Sequence, residues 1–507
     1  MYLRYCAHVL LLIGALTANA FADVKLPQIF GDHMVLQRDK ELPVWGWASP
    51  AEKVVVTLAD QKIETTAASS GRWKVKLEAR SAGGPHELTI AGNNTIQLKD
   101  VYLGEVWVCS GQSNMAWPVT SSANAEQEIT AANYPTIRHF KVELKIAGTP
   151  QDDVVSNGWT VCDPKTAGGF TAVGYYFGRK LHEQLKVPVG LVNTSWGGTL
   201  IQPWTPPVGL AQVASLRDDL DWVEKRSAEY LVLQKTYIDQ IAKWVPEARW
   251  KLALGKSLPP LPPAATHPIS DPRQLTSIYN AMIHGLLPFA IRGAIWYQGE
   301  SNVHMKDGAH YRNRMQGLIQ GWRKVWGQGD FPFYYVHLAP FKYNLPPDEL
   351  PRVWEAQTRS LGIPNTGMAV ITDIGNVKDI HPTNKQDVGA RLALWALAKD
   401  YSREDVVFCG PLYKSHEIEG DKVRIHFDHA TSELSSRDGQ PLTWFTIAGE
   451  DRKFVQASAE IDSDTVIVRS DRVAKPTAVR FGWDQMAEPN LLNAAKLPAA
   501  PFRTDDW

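Results

Sequence analysis

The pentapeptide Gly111-Gln112-Ser113-Asn114-Met115 directly follows the apolar run Val106-Trp107-Val108-Cys109. A glycine-flanked turn at the carboxyl end of a buried strand holds a serine hydroxyl rigidly towards a cleft, where it can attack an acyl carbon. Such a serine needs a base to take its proton, a group to orient that base, and donors for the tetrahedral oxyanion. Three later segments offer those parts. Gly197-Gly198, after Ser195-Trp196, lets backbone N–H groups come close to a ligand. Gln298, in Trp296-Tyr297-Gln298-Gly299-Glu300, carries a side-chain amide with two donors, one for an oxyanion and one for anchoring. His381, in Asp379-Ile380-His381-Pro382, supplies an imidazole, with the Asp379 carboxylate two residues away to orient it.

Each signal is weak by itself, because turn serines, paired glycines and single histidines are usually structural. Their shared context is what counts. All four segments follow a predicted strand, and in open α/β sheets the carboxyl ends of the strands meet at the ligand crevice. Ser195 is a rival nucleophile, although Trp196 and the double glycine fit a donor loop better. Trp117, Trp196, Trp204 and Trp296 are candidates for the walls of a small acyl pocket.

The elements that must position these groups are read from the chain pattern. Its 507 residues exceed one ordinary core. Residues 23–103 read as short alternating strands between Ser, Gly and Asn turns, a β-sandwich-like domain. Residues 104–401 alternate strands with helices; strands at 101–109, 187–193, 293–297, 331–338 and 368–372 are apolar without alternation, as in a parallel sheet buried on both faces. Inside this region an insertion at about 205–275 carries apolar residues at helical spacing over 216–245, then a Pro259-Pro260-Leu261-Pro262-Pro263 return. Residues 402–507 are β-rich. The fold class is therefore α/β, with β-domains on both sides.

Arg4, the apolar stretch 9–16 and Ala20-Phe21-Ala22 have the form of an export leader, residues 1–22, too short to span a bilayer. Periplasmic or extracellular location is expected, with no membrane span once the leader is removed. A net charge of −1 without a basic block argues against a nucleic-acid partner. Cys6 lies in the leader, and the remaining Cys109, Cys162 and Cys409 have no metal-type spacing. Nineteen tryptophans are partly core filler and partly possible platforms for sugar C–H faces.

The quoted blocks, with Ser301-Asn302 extending the third, resemble those of the sialate O-acetylesterases of the SGNH (GDSL-like) hydrolase superfamily. The resemblance covers nearly the whole chain after the leader. It implies a flavodoxin-like three-layer catalytic domain that removes O-acetyl groups from carbohydrate without a metal or cofactor. It further implies Ser113 as nucleophile and His381 as base, with an oxyanion hole from the N–H groups of Ser113 and Gly198 (or Gly197) and the Gln298 side chain. The wider superfamily sets the acid three residues before the histidine. Here that residue is Lys378, so Asp379, Glu300 and Asp373 all stand as candidates. Acetylated xylan is the alternative substrate, and Arg323 and Arg503 are candidates to meet a sialic carboxylate. A non-catalytic carbohydrate-binding protein and a metallo-esterase built on His304, His310 and His381 are the rivals from other classes.

Overall fold

The computed structural model describes residues 23–430 and 433–507. The expected leader, residues 1–22, lies outside them. Seven strands form the central sheet: β1 (Thr95–Gly111), β2 (Tyr134–Val142), β3 (Ser156–Cys162), β4 (Val189–Asn193), β5 (Gly293–Tyr297), β6 (Phe333–Val336) and β7 (Thr366–Ala369). Their order is β7-β6-β5-β1-β4-β2-β3. Every neighbouring pair is parallel except β2 with β3. The pair β2 and β3 was not expected from the sequence, since Arg138, His139 and Lys141 interrupt the apolar run in β2.

The central strand does more than the sequence suggests. β1 is 17 residues long, and its first part pairs with Gly83–Ala91 and Val35–Gln37 of the amino-terminal β-layer. Its later part pairs with β4 and β5. Burial follows this change of neighbours: it alternates at first, then all nine residues from Leu103 to Gly111 are buried. That is the difference between a strand covered on one face and a strand covered on both. Asp100 sits at the switch in a left-handed conformation, φ 57°, where the pairing register also slips. Its carboxylate accepts from Arg138 on β2 and contacts the His33 ring, each at 2.7 Å. The expected boundary at 103/104 therefore falls inside one continuous strand.

Helices cover both faces of the sheet. In register, Gly293 lies beside Trp107, so those two share a face and Trp296, three residues on, points to the other. Trp107 meets Phe177 of α1 (Ala172–Leu185) edge-on, and Trp296 meets Trp322 of α3 (Gly308–Trp326) edge-on on the opposite side. α4 (Glu349–Arg359) packs on α3, and α5 (Lys385–Lys399) packs on α1. The insertion contains α2 (Arg217–Ala253), a 37-residue helix that runs through Pro246 and so extends past the expected 216–245. The carboxyl-terminal residues build two four-stranded sheets and a two-stranded one around a separate hydrophobic cluster.

Glu105 stands where β1 enters the central sheet. It is fully buried and accepts from Arg38 Nε at 2.5 Å, Arg292 Nε at 2.8 Å and Gln37 Nε2 at 3.2 Å. Burial alone would raise its pKa; the two guanidiniums outweigh burial and hold it below the usual carboxylate value. Glu105→Ala leaves two part-buried arginines unpaired, and we expect a loss of about 3–5 kcal/mol in denaturant unfolding. A loss under about 1 kcal/mol would show that the clamp does not hold the layers together.

Candidate active site

Gly111 ends β1 at a point where no side chain fits. Its φ is 136°, and a Cβ there would lie 2.1 Å from the Tyr297 carbonyl oxygen. The close approach lets Gln112 N–H donate to that same carbonyl at 2.9 Å, and the chain then turns into the short helix Ser113–Ala116. Trp196 N–H donates to the Gly111 carbonyl at 3.0 Å, which ties the Gly197-Gly198 loop to the serine turn. A Cβ on Gly197 would lie 3.3 Å from Ser113 Cβ, whereas Gly198, at φ 73°, faces open space. Both glycines are exposed.

His381 arrives from the loop after β7. Its Nε2 lies 2.8 Å from Ser113 Oγ. With the ring proton on Nδ1, Nε2 accepts the serine hydroxyl, the arrangement needed for proton transfer. The Trp117 indole stacks on the imidazole, with centroids 4.7 Å apart and planes at 17°. Trp117 is fixed in turn by donating from Nε1 to the Ser121 carbonyl at 2.7 Å. Burial, then the nearby Lys385 ammonium, push the His381 pKa below 6.5, while Asp379 pulls it upward. The ring is thus biased to the neutral form a base requires.

The three candidate acids have different surroundings. Asp379 Oδ1 lies 3.9 Å from His381 Nδ1 and accepts from the His381 backbone N–H at 2.9 Å. Asp373 is held by both terminal nitrogens of Arg391, at 2.6 and 2.7 Å. Glu300 is buried and accepts from Asn114 Nδ2, and its Oε2 has no partner. Of the three, only Asp379 makes a contact with the His381 ring.

Asn114 and Lys385 are the residues that sequence reasoning missed. Asn114 Nδ2 also donates to the Ile380 carbonyl at 3.0 Å, and Asn114 Oδ1 accepts from Lys385 Nζ. One amide therefore joins the serine turn, the histidine loop, the Glu300 loop and the first residue of α5. Lys385 is fully buried, and burial pushes its pKa down to about 7, against the pull of Glu300 and Asp379. Burial likewise raises the Glu300 pKa. No sequence signal marks Lys385, because a lysine in the first turn of a helix ordinarily faces water.

Several expected roles are corrected. Gln298 is fully buried, and its amide nitrogen donates to Asn302 Oδ1 at 2.7 Å, Thr199 O at 3.1 Å and Gln112 Oε1 at 3.2 Å. Three internal acceptors use up its two hydrogens, so it braces the loops and has no donor left for an oxyanion. Trp204 and Trp296 are fully buried and meet edge-on at 5.9 Å, so they are core and not pocket wall; Trp196 stays part-exposed. Ser195 Oγ is 2.6 Å from Asn193 Oδ1. Arg323 is buried against the carbonyls of Phe331 and Asn365, and Arg503 pairs with Glu355. His304 packs against Tyr343, and no group of three or more His, Cys, Asp or Glu is gathered for a metal among the described residues.

The family model described as "Carbohydrate esterase, sialic acid-specific acetylesterase" matches residues 103–221 and 268–397. The match takes in Ser113, Gly197, Gly198, Asp379 and His381, and it leaves out 222–267, most of α2 and the proline-rich return. The sialate O-acetylesterase of Mus musculus is 30% identical over 449 residues, 81% of this chain and 80% of that one. The protein of the same name from Homo sapiens is 28% identical over 515 residues, 92% of this chain and 90% of its own. A solved carbohydrate acetylesterase from Xanthomonas citri superposes with a TM-score of 0.81 at 37% identity, over 96% of this chain and all of that one.

Removing the Asn114 amide strands a buried carboxyl and a buried amine. We expect Asn114→Ala to lower unfolding stability by about 2–4 kcal/mol, and an unchanged denaturation midpoint would contradict the network. Lys385 adds a pH signature. Between about 7 in the folded protein and the ordinary 10.5, the unfolded chain binds the extra proton. Stability therefore rises with pH across that window, and Lys385→Met removes this rise. A wild-type stability that falls through the same window, or a rise that persists in the variant, would contradict it.

Proposed function

This chain belongs to the sialic acid-specific acetylesterase family of carbohydrate esterases, and from that premise we propose that it removes O-acetyl groups from sialic acids through an acetyl-Ser113 intermediate. Its reaction class is carboxylic ester hydrolysis on carbohydrate. The observation that carries the serine mechanism is the 2.8 Å contact between Ser113 Oγ and His381 Nε2. Ser113 Oγ attacks the acetyl carbonyl carbon as its proton passes to Nε2. The negative charge formed on the carbonyl oxygen is met by the backbone N–H groups of Ser113 and Gly198, with Gly197 as the alternative. His381 then delivers the proton to the departing sugar oxygen, and the C–O bond to the sugar breaks. Water, deprotonated by the same nitrogen, attacks the acetyl-serine; acetate leaves and Ser113 regains its proton.

Asp379 is the acid we assign to His381. The Nδ1 distance of 3.9 Å supports an electrostatic role, and the commitments of Glu300 and Asp373 to other partners support it further. The names of the relatives carry the choice of sialic acid over xylan. Exposed glycines beside Ser113 suit an acetyl group presented on a large glycan. In this reading residues 104–401 are an SGNH-type catalytic domain between β-domains at 23–103 and 402–507, and residues 1–22 export the protein to the periplasm or beyond. No helix among the described residues is long and apolar enough to cross a membrane.

Acetate release from an O-acetylated sialic acid should fall by a factor of about 10⁴ or more in Ser113→Ala, with unaltered circular dichroism. Turnover near the wild-type rate would end the mechanism, and release from acetylated xylan alone would keep the serine and change the substrate. The acid limb of kcat/KM should have its midpoint below 6.5, because the depressed His381 stays neutral to lower pH. A midpoint above 7 would contradict that assignment.

A further inference from the structure

A cavity of about 430 Å³ opens on the amino-terminal β-layer and shares no lining residue with the serine site. Its main wall is the two-stranded sheet of Leu42–Trp47 and Arg72–Leu77. In register, Trp45 lies beside Lys74 and Trp47 beside Arg72, so these four side chains share the face opposite to the buried Val44 and Val75. Trp45 and Trp47 are two residues apart, roughly 7 Å along the strand, close enough for both indoles to contact one glycan. Both are part-exposed, and Trp45 is held in place by an edge-on contact with Phe30 at 4.8 Å. The opposite wall, including His284 and Leu287, comes from the chain leading into β5.

The hydrogen-bonding character of this cavity is lopsided. The indole N–H groups of Trp45 and Trp47 and the ammonium of Lys74 have no partner among the described residues. His284 uses Nδ1 on the Gln151 carbonyl at 2.8 Å, which leaves Nε2 available. The single carboxylate in the lining, Asp152, is already paired with Arg72. The cavity therefore offers apolar aromatic surface and spare donors, with its one carboxylate engaged and one cation uncommitted. A ligand that matches has C–H faces to lie on indoles, many acceptor oxygens, and a negative charge. Acidic sugars combine all three.

We propose that this cavity is an auxiliary binding site for an acidic sugar residue of the glycan, separate from the site that cleaves the ester. It rests on the carbohydrate-esterase reading but not on the serine mechanism. An anchor of this kind lowers KM for a glycan that carries such a residue and leaves the turnover of a small ester untouched.

The test is calorimetric titration of the full chain carrying Ser113→Ala with sialyllactose, with a glucuronic acid-containing oligosaccharide and neutral lactose as the other arms. Lys74→Gln and, separately, Trp47→Ala are added to that background, and both are also made in the active enzyme. Lys74 has an exposed side chain, so its variant is expected to fold even if Trp47→Ala does not. The expected result is saturable binding of an acidic sugar with a component that weakens by about tenfold or more in Lys74→Gln, while hydrolysis of 4-nitrophenyl acetate stays within about twofold. Which acidic arm binds more tightly identifies the sugar. Affinity in both added variants unchanged from the Ser113→Ala parent, no saturable binding of either acidic sugar, or equal binding of lactose would overturn the proposal. Absence of ester hydrolysis in the wild-type enzyme would count against the esterase reading instead, so the two failures are separable.

Discussion

The structure depends on one strand that belongs to two layers. β1 begins among the amino-terminal strands, crosses into the middle of the parallel sheet at Glu105, and ends at Gly111 against the Tyr297 carbonyl. Because its last residues are hydrogen-bonded on both sides and buried on both faces, the turn that follows has little freedom. Ser113 is placed by that restriction. The Glu105 cluster prevents the crossing from being a weak point, since a carboxylate in a dry sheet is tolerable only when its charge and lone pairs are fully met. Asp100 serves the same end a few residues earlier, where the strand's alternation changes phase.

Behind the serine and histidine, the loops are joined through polar groups and not through apolar packing. Asn114 contacts the Ile380 backbone, Glu300 and Lys385, and Gln112 and Gln298 form a second set of amide contacts beneath Gly299 and Thr199. Buried polar networks of this kind cost desolvation, and they allow a narrow set of geometries. A 2.8 Å contact between side chains 268 residues apart in sequence is the sort of precision that such a network can hold. The buried amine also acts on the imidazole through space, depressing its pKa beyond what burial does.

Much of this was legible in the chain. Ser113, His381 and the strand before each could be read because parallel strands are apolar without alternation, and because the loops after them carry the reactive types. The Gly197-Gly198 loop was legible for the same reason. Gln298 was misassigned because an amide after a buried strand has the same sequence appearance whether its donors face a ligand or its own loop. Trp204 and Trp296 misled in a similar way: indole is equally suited to a core and to a sugar platform, and only three-dimensional packing separates the two. Lys385 was invisible, since nothing local distinguishes a buried lysine from a solvated one. At the expected boundary after residue 103 composition changes while the strand's hydrogen bonding continues.

The central claim is that an acetyl group passes through Ser113. The most direct measurement is rapid quenching of the wild-type enzyme with excess O-acetylated sialic acid, followed by mass spectrometry of its peptides. The account predicts one acetyl group on the peptide containing Ser113, formed before steady-state acetate release and absent once substrate is exhausted. An unmodified Ser113 peptide during steady acetate release at a rate slow enough to trap, or a transient acetyl group on another residue, would contradict it.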